Sequence, residues 1–348
     1  MTKTLHTLGD LADAGLLPRG AAASLVPVAD KYAIGVSAHV AGLMDRAADN
    51  DPIARQFIPS DVELDVTAGE RADPIGDAAH SPVPGIVHRH SDRVLFKLTH
   101  ICPVYCRFCF RREMVGPNGD GALSHAQIDA ALAYIADHSE IWEVIITGGD
   151  PFVLSPRRIG EISNALAAIG HVKIIRWHTR VPVVEPDSIN DDLIAALTVP
   201  GATTFIALHA NHPRELEAPA ARAAIARLID AGIPLVSQSV LLRGVNDTIE
   251  TLIALMRGFV ELRVKPYYLH HADLAPGTSH FRVPLNEGRA LMRELRARVS
   301  GLCVPEYMLD IPGGYAKARV TESDVEMDEA GTSVRDHDGR WHPYPPKD

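Results

Sequence analysis

From Arg93 onward the chain alternates short β-rich runs with longer helical segments. RVLFKL (93–98), EVIIT (143–147), VKIIRW (172–177), TTFIAL (203–208), PLVSQSVL (234–241) and VKPYYL (264–269) read as strands. Helical spacing falls between them, near 128–138, 156–169, 189–197, 215–231, 247–262 and 286–300. Six βα units in a row predict an α/β fold. Its sheet is parallel, either doubly wound or curled into a barrel. In a curled sheet the chemistry belongs at the C-terminal ends of the strands. Residues 1–88 read as a separate N-terminal helical region, with apolar residues at helical spacing in LGDLADAGLL and from Ala22 to Met44. The stretch after about Val320 is charged and reads as a loop-like tail, which leaves 89–320 as the catalytic body. A formal net charge of -10 gives no basic surface for nucleic acid. No apolar run reaches the length of a membrane span, and the first residues do not read as a signal peptide. A cytoplasmic protein is the expectation.

The cysteines carry the first chemical signal. Three of the four lie close together, in THICPVYCRFCFRREMVG, as Cys102-x3-Cys106-x2-Cys109. That is no disulfide framework. A structural zinc site wants a fourth ligand at finger-like spacing, and none is in sight. Three thiolates on an iron–sulfur cube would leave one iron open to another ligand. Cys303 sits among small apolar neighbours and reads as a buried structural thiol. ITGGDP follows the second strand, with Gly148, Gly149 and Asp150. By itself it is as much a tight turn as a site. LDIPGGYAK (309–317) offers Lys317, either a surface lysine or one able to carry a cofactor.

The Cx3Cx2C motif after the first strand, with Phe108 before the last cysteine, resembles the radical S-adenosylmethionine (SAM) superfamily. The resemblance implies a partial (βα)6 barrel with an N-terminal helical appendage. It also implies a [4Fe-4S] cluster on Cys102, Cys106 and Cys109, with the backbone of Gly148, Gly149 and Asp150 against the SAM methionyl group. More narrowly, the chain resembles the lysine 2,3-aminomutase family, which also uses pyridoxal 5′-phosphate (PLP). Ordered matches run from about 50 to 320 and include DPIARQF, CPVYCRFCFRRE, TRVPVVEP, HANHP, QSVLLRGVND, KPYYL and DIPGG. On that resemblance Lys317 carries PLP, Arg89 and Arg93 face its phosphate, and His209 and Gln238 line the adenosyl end of SAM. Arg111 pairs with the substrate α-carboxylate, and Asp273 and Asp310 hold the far end of the substrate. Two acids there suit the ammonium of lysine and repel glutamate.

The implied reaction is a 1,2-amino migration converting L-α-lysine to β-lysine. Its partners are lysine, free or attached to a protein, and an electron donor such as a flavodoxin or ferredoxin, and a homo-oligomer is left open. His90 and His270 stand where free-lysine mutases carry tyrosine. Together with the short C-terminus, which lacks zinc-binding cysteines, this resembles the branch that makes β-lysine for elongation factor P. Two rival readings stand beside it: an aminomutase for another cationic amino acid, and a non-catalytic iron–sulfur protein. His88, His100, His271 and His280 are placed near the site, and Trp142 and Trp177 are read as packing residues.

Overall fold

In a computed structural model, residues 4–344 are described, apart from 19, 49, 117–120, 322, 329–330 and 337–338. Nine strands form one sheet in sequence order. They are β1 (Ile86–His90), β2 (Arg93–Thr99), β3 (Glu143–Gly148), β4 (Ile174–Thr179), β5 (Thr203–His209), β6 (Leu235–Leu241), β7 (Lys265–His271), β8 (Glu306–Asp310) and β9 (Lys317–Arg319). Strands β2 to β8 pair in parallel, each with its neighbour in sequence. β1 and β9 pair antiparallel at the two edges, with β2 and β8 respectively. The two edge strands do not pair with each other, so the curled sheet stays open on one side. This is the partial barrel expected of the six βα units, with one further parallel strand, β8, after the last helix.

Burial alternates along the strands. In β4, Ile175, Trp177 and Thr179 are buried, while Ile174, Arg176 and His178 are only half-buried. Trp177 has no exposed surface and packs with the helix-facing core, whereas Trp142 is 51% exposed and does not pack as expected. Period-two side-chain geometry sends the alternate set, Arg176 and His178, into the barrel.

Several local expectations change. The helix read across 215–231 is two helices, Pro213–Glu217 and Pro219–Asp230. Ala218 adopts φ -58°, ψ 126° because Pro219 disfavours helical geometry in the residue before it. The stretch Ala22–Met44 is three short helices, and Val36 leaves the pattern to bridge Leu5. β1 begins at Ile86, inside the region read as helical. The tail is structured: β10 (Val325–Asp328), β11 (Gly331–Arg335) and β12 (Trp341–Tyr344) form a three-stranded antiparallel sheet. Met327 is 77% exposed there, so little apolar periodicity marked these strands. Cys303 is buried as expected, in a short 3-10 turn just before β8. Among the described residues no helix is long and apolar enough to cross a membrane.

The N-terminal region is bound to the cysteine loop. Glu63 is fully buried and accepts from Arg107 Nε at 2.9 Å and from the Arg112 guanidinium. Arg107 N donates to Gln56 O at 2.8 Å, and Tyr105 N to Gly35 O at 3.0 Å. Gly35 is required at that contact, since a Cβ would lie 2.8 Å from the Tyr105 ring.

Candidate active site

The loop after β2 carries the three cysteines into the mouth of the barrel. All three thiols line a cavity of about 430 Å³. Burial pushes every one of them up, Cys109 to about 11, so each holds its proton in the bare protein. Among the described residues no three His, Cys, Asp or Glu side chains converge on one metal ion. The thiols instead share a wall, with each close enough to raise the proton affinity of another. Three soft donors facing a common volume fit a polynuclear iron–sulfur cluster, whose positive irons would displace the thiol protons.

β3 ends against the base of this loop. Gly149 N donates to Thr99 O at 2.5 Å, and Asp150 N to Ile101 O at 3.0 Å. A Cβ on Gly149 would lie 2.3 Å from Ile101 O, so only glycine allows the approach. Gly148 takes φ +114°, in the region that favours glycine. The Asp150 carboxylate is occupied, accepting from Thr179 Oγ1 at 2.8 Å, Arg180 N at 2.7 Å and Phe152 N at 3.1 Å. It ties the ends of β3 and β4 together, and the turn offers the cavity its backbone.

The same cavity is lined by the residues to which the resemblance gave cofactor or substrate roles: Arg89, Arg93, Arg111, His209, Gln238, Asp273, Asp310 and Lys317 join the cysteines, Gly148, Gly149 and Asp150. His209 and Gln238 are register partners on adjacent strands. His209 is neutral, lowered to about 3 by burial, and its Nε2 lies 3.2 Å from Asn211 Oδ1. Arg93 donates to Asp92 Oδ1 at 2.6 Å at the rim. Arg89 donates to Ile75 O at 2.8 Å and lies 3.8 Å from Asp310 Oδ1.

The cavity carries charge of both signs. Arg111 is buried and donates to Asp77 Oδ2 at 3.1 Å. Lys97 Nζ lies 3.6 Å from the same carboxylate. Arg111 Nε is buried with no partner in the bare protein, leaving an N–H for a ligand. Asp77 is held below the usual carboxylate range: Arg111, Lys97 and Arg89 outweigh the burial that pushes it up. Asp310 accepts from Lys317 Nζ, with His270 Nδ1 3.9 Å away. Asp273 is pushed up to about 7, mainly by burial and then by the negative charge of Asp310. An amine on the wall, with Arg89, Arg93 and His90 lining the same cavity, fits a cofactor carrying an aldehyde and a phosphate dianion.

Sequence reading missed other cavity residues. Asp77, which does not line the cavity, orients Arg111 from behind. His178 and Arg176 line it, and alternation along β4 was the signal that could have found them. Tyr267 and Tyr268 enter from β7, beside His270, which the sequence marks as a departure from tyrosine. Burial holds His178 and His270 well below their ordinary value, so both are neutral. The histidines placed nearby from sequence lie elsewhere. None of His88, His100, His271 and His280 lines the cavity. His88 pairs with the Tyr134 hydroxyl at 2.8 Å, and His271 with that of Tyr307 at 2.7 Å.

The profile of the Radical SAM superfamily matches residues 96–256. The L-lysine 2,3-aminomutase of Acetoanaerobium sticklandii is 39% identical over 291 residues, covering 84% of this chain and 70% of that protein. The L-lysine 2,3-aminomutase of Clostridium subterminale is 38% identical, covering 82% and 68%. That of Escherichia coli K12 is 36% identical, covering 82% of each. With its cysteine loop and these relatives, the chain belongs to the L-lysine 2,3-aminomutase family of radical SAM enzymes.

Proposed function

We propose that this protein is a lysine 2,3-aminomutase, an isomerase that converts L-α-lysine to β-lysine with a [4Fe-4S] cluster, SAM and PLP. The observation that carries the substrate assignment is the placement of Arg111 and of Asp273 with Asp310 on one cavity. When bound, the cofactors supply hydrogen abstraction and an electron-withdrawing carrier for the migrating amino group.

The protein's own residues bind and orient. Arg111 receives the α-carboxylate through a guanidinium that Asp77 holds from behind. The Asp310 carboxylate already accepts an alkylammonium, that of Lys317. The Lys317 amine stands in for the substrate's distal ammonium and marks the chemistry preferred there. Neutral His178 and His270 add no positive charge to repel it. Val87, Val94, Phe110, Ile145 and Val240 line the remaining wall and exclude water from the reacting carbons. Gln238 and His209, register partners on adjacent strands, line the same cavity as the cysteines, which supports the reading of an adenosyl site. A one-electron donor of the flavodoxin or ferredoxin class completes the system.

The test is anaerobic reconstitution of the cluster, followed by PLP, SAM, dithionite and L-lysine. β-Lysine should form, and should be lost in Lys317→Ala and Cys106→Ala. SAM cleavage without β-lysine would show that the acidic pair selects another substrate.

A further inference from the structure

The end of β4 holds a buried cation that the binding scheme does not use. Arg180 is 5% exposed, and its Nη1 donates to Cys106 Sγ at 2.8 Å. Its Nη2 donates to Glu215 Oε2 at 2.7 Å and Gln56 Oε1 at 2.6 Å. The guanidinium carbon lies 4.6 Å from the centre of the Phe57 ring and 5.5 Å from that of Phe108. Four separate pieces of chain therefore fix one side chain: the N-terminal region through Gln56 and Phe57, the cysteine loop through Phe108, the helix after β5 through Glu215, and β4 itself.

We propose that Arg180 is a positioning residue that sets the electron affinity of the iron–sulfur cluster through its charged hydrogen bond to Cys106 Sγ. This rests on the cluster assignment made above. The physical reasoning is direct. A reduced cluster carries one more negative charge than an oxidised one, so a cationic N–H on a ligating sulfur favours the reduced state. In a low-dielectric site that preference is large. Glu215 opposes it. Its carboxylate is fully paired, accepting from Arg180, from the backbone N–H groups of Asn211 and His212 and from Gln56 Nε2. It is held ionised because Arg180 and these hydrogen bonds outweigh the burial that pushes it up. The sulfur thus sees the positive end of a fixed Arg–Glu dipole. Removing either charge should move the cluster in opposite directions, which a merely structural role would not do.

The experiment is a potentiometric titration of the reconstituted protein with dithionite, followed by electron paramagnetic resonance without SAM or lysine. Arg180→Gln should shift the midpoint to more negative potential, and Arg180→Lys should recover most of that shift. Glu215→Gln, which keeps an acceptor oxygen, should shift it to more positive potential. An unchanged midpoint in Arg180→Gln and Glu215→Gln overturns the proposal. Weakened SAM binding at an unchanged midpoint would assign Arg180 to SAM instead, and also overturns it. If Arg180→Gln does not fold, Glu215→Gln decides alone, a positive shift supporting and no shift refuting. Failure of the wild-type protein to assemble any cluster is a different result, and removes the cluster assignment itself.

Discussion

Asp273 makes binding and folding compete, and the competition can be measured. Its carboxyl ionises near 7 rather than at its usual 3.8, because burial and Asp310 oppose the charge. The sign follows from linkage. A carboxyl that holds its proton more tightly when folded costs stability once pH exceeds the unfolded value, and the cost grows until pH passes the folded one. At about 1.4 kcal/mol per pH unit, the full cost is of order 4 kcal/mol above pH 7. Between pH 6 and 8 the part still accruing is roughly 1 kcal/mol. Asp273→Asn removes the charge while keeping the shape. Urea unfolding of the cluster-loaded protein, without PLP or lysine, should therefore show the variant more stable than wild type at pH 8. The gap should narrow by roughly 1 kcal/mol at pH 6. In turnover the same ionisation should lower KM for lysine as pH rises through 7, and Asp273→Asn should raise KM and flatten that dependence. Parallel stability profiles for the two proteins, or a variant less stable at pH 8, would refute the reasoning.

Two further outcomes follow from buried charges. Asp77→Asn should leave Arg111 charged but unanchored, raising KM for lysine at least ~10-fold, as expected when a hydrogen bond to a charged group is lost; steady-state kinetics checks this. Glu63→Gln leaves Arg107 and Arg112 buried without their shared counter-charge, and should cost roughly 3–5 kcal/mol in urea unfolding, with earlier loss of the visible absorption of the cluster.

The order of βα units was legible because each strand is a short apolar run between helices of clear period. The three cysteines proposed as cluster ligands were legible because they lie within one loop. The proposed lysine-binding pattern came through resemblance, since Arg111, Asp273, Asp310 and Lys317 converge only in the folded chain. What stayed hidden was the support behind these groups. Asp77 and Arg180 act by holding other side chains, and no spacing in the sequence records which partner a buried charge finds. The histidines show the same limit. Four were placed near the site from proximity in sequence, yet the strand pleat turns His270 inward and its neighbour His271 away toward Tyr307. The tail sheet was missed because its strands bury little, so hydrophobic alternation had nothing to report.

The open side of the sheet has a consequence for how the protein is made. The wall of the cavity formed by β8 and β9 with Lys317 leaves the ribosome after all the others. It seats on a loop made far earlier: a Cβ on Gly76 would lie 2.5 Å from the carbonyl carbon of Gly313. A nascent chain that has released β2 to β4 already holds the three cysteines and the glycine turn beneath them. On the assignments proposed above, it lacks the amine for PLP until β9 has followed. Iron–sulfur insertion can then begin before β9 is made, whereas PLP capture waits for β9 and for the turn before it to seat on the loop around Gly76. Truncation just before β9 should give a brown protein that never turns yellow with PLP.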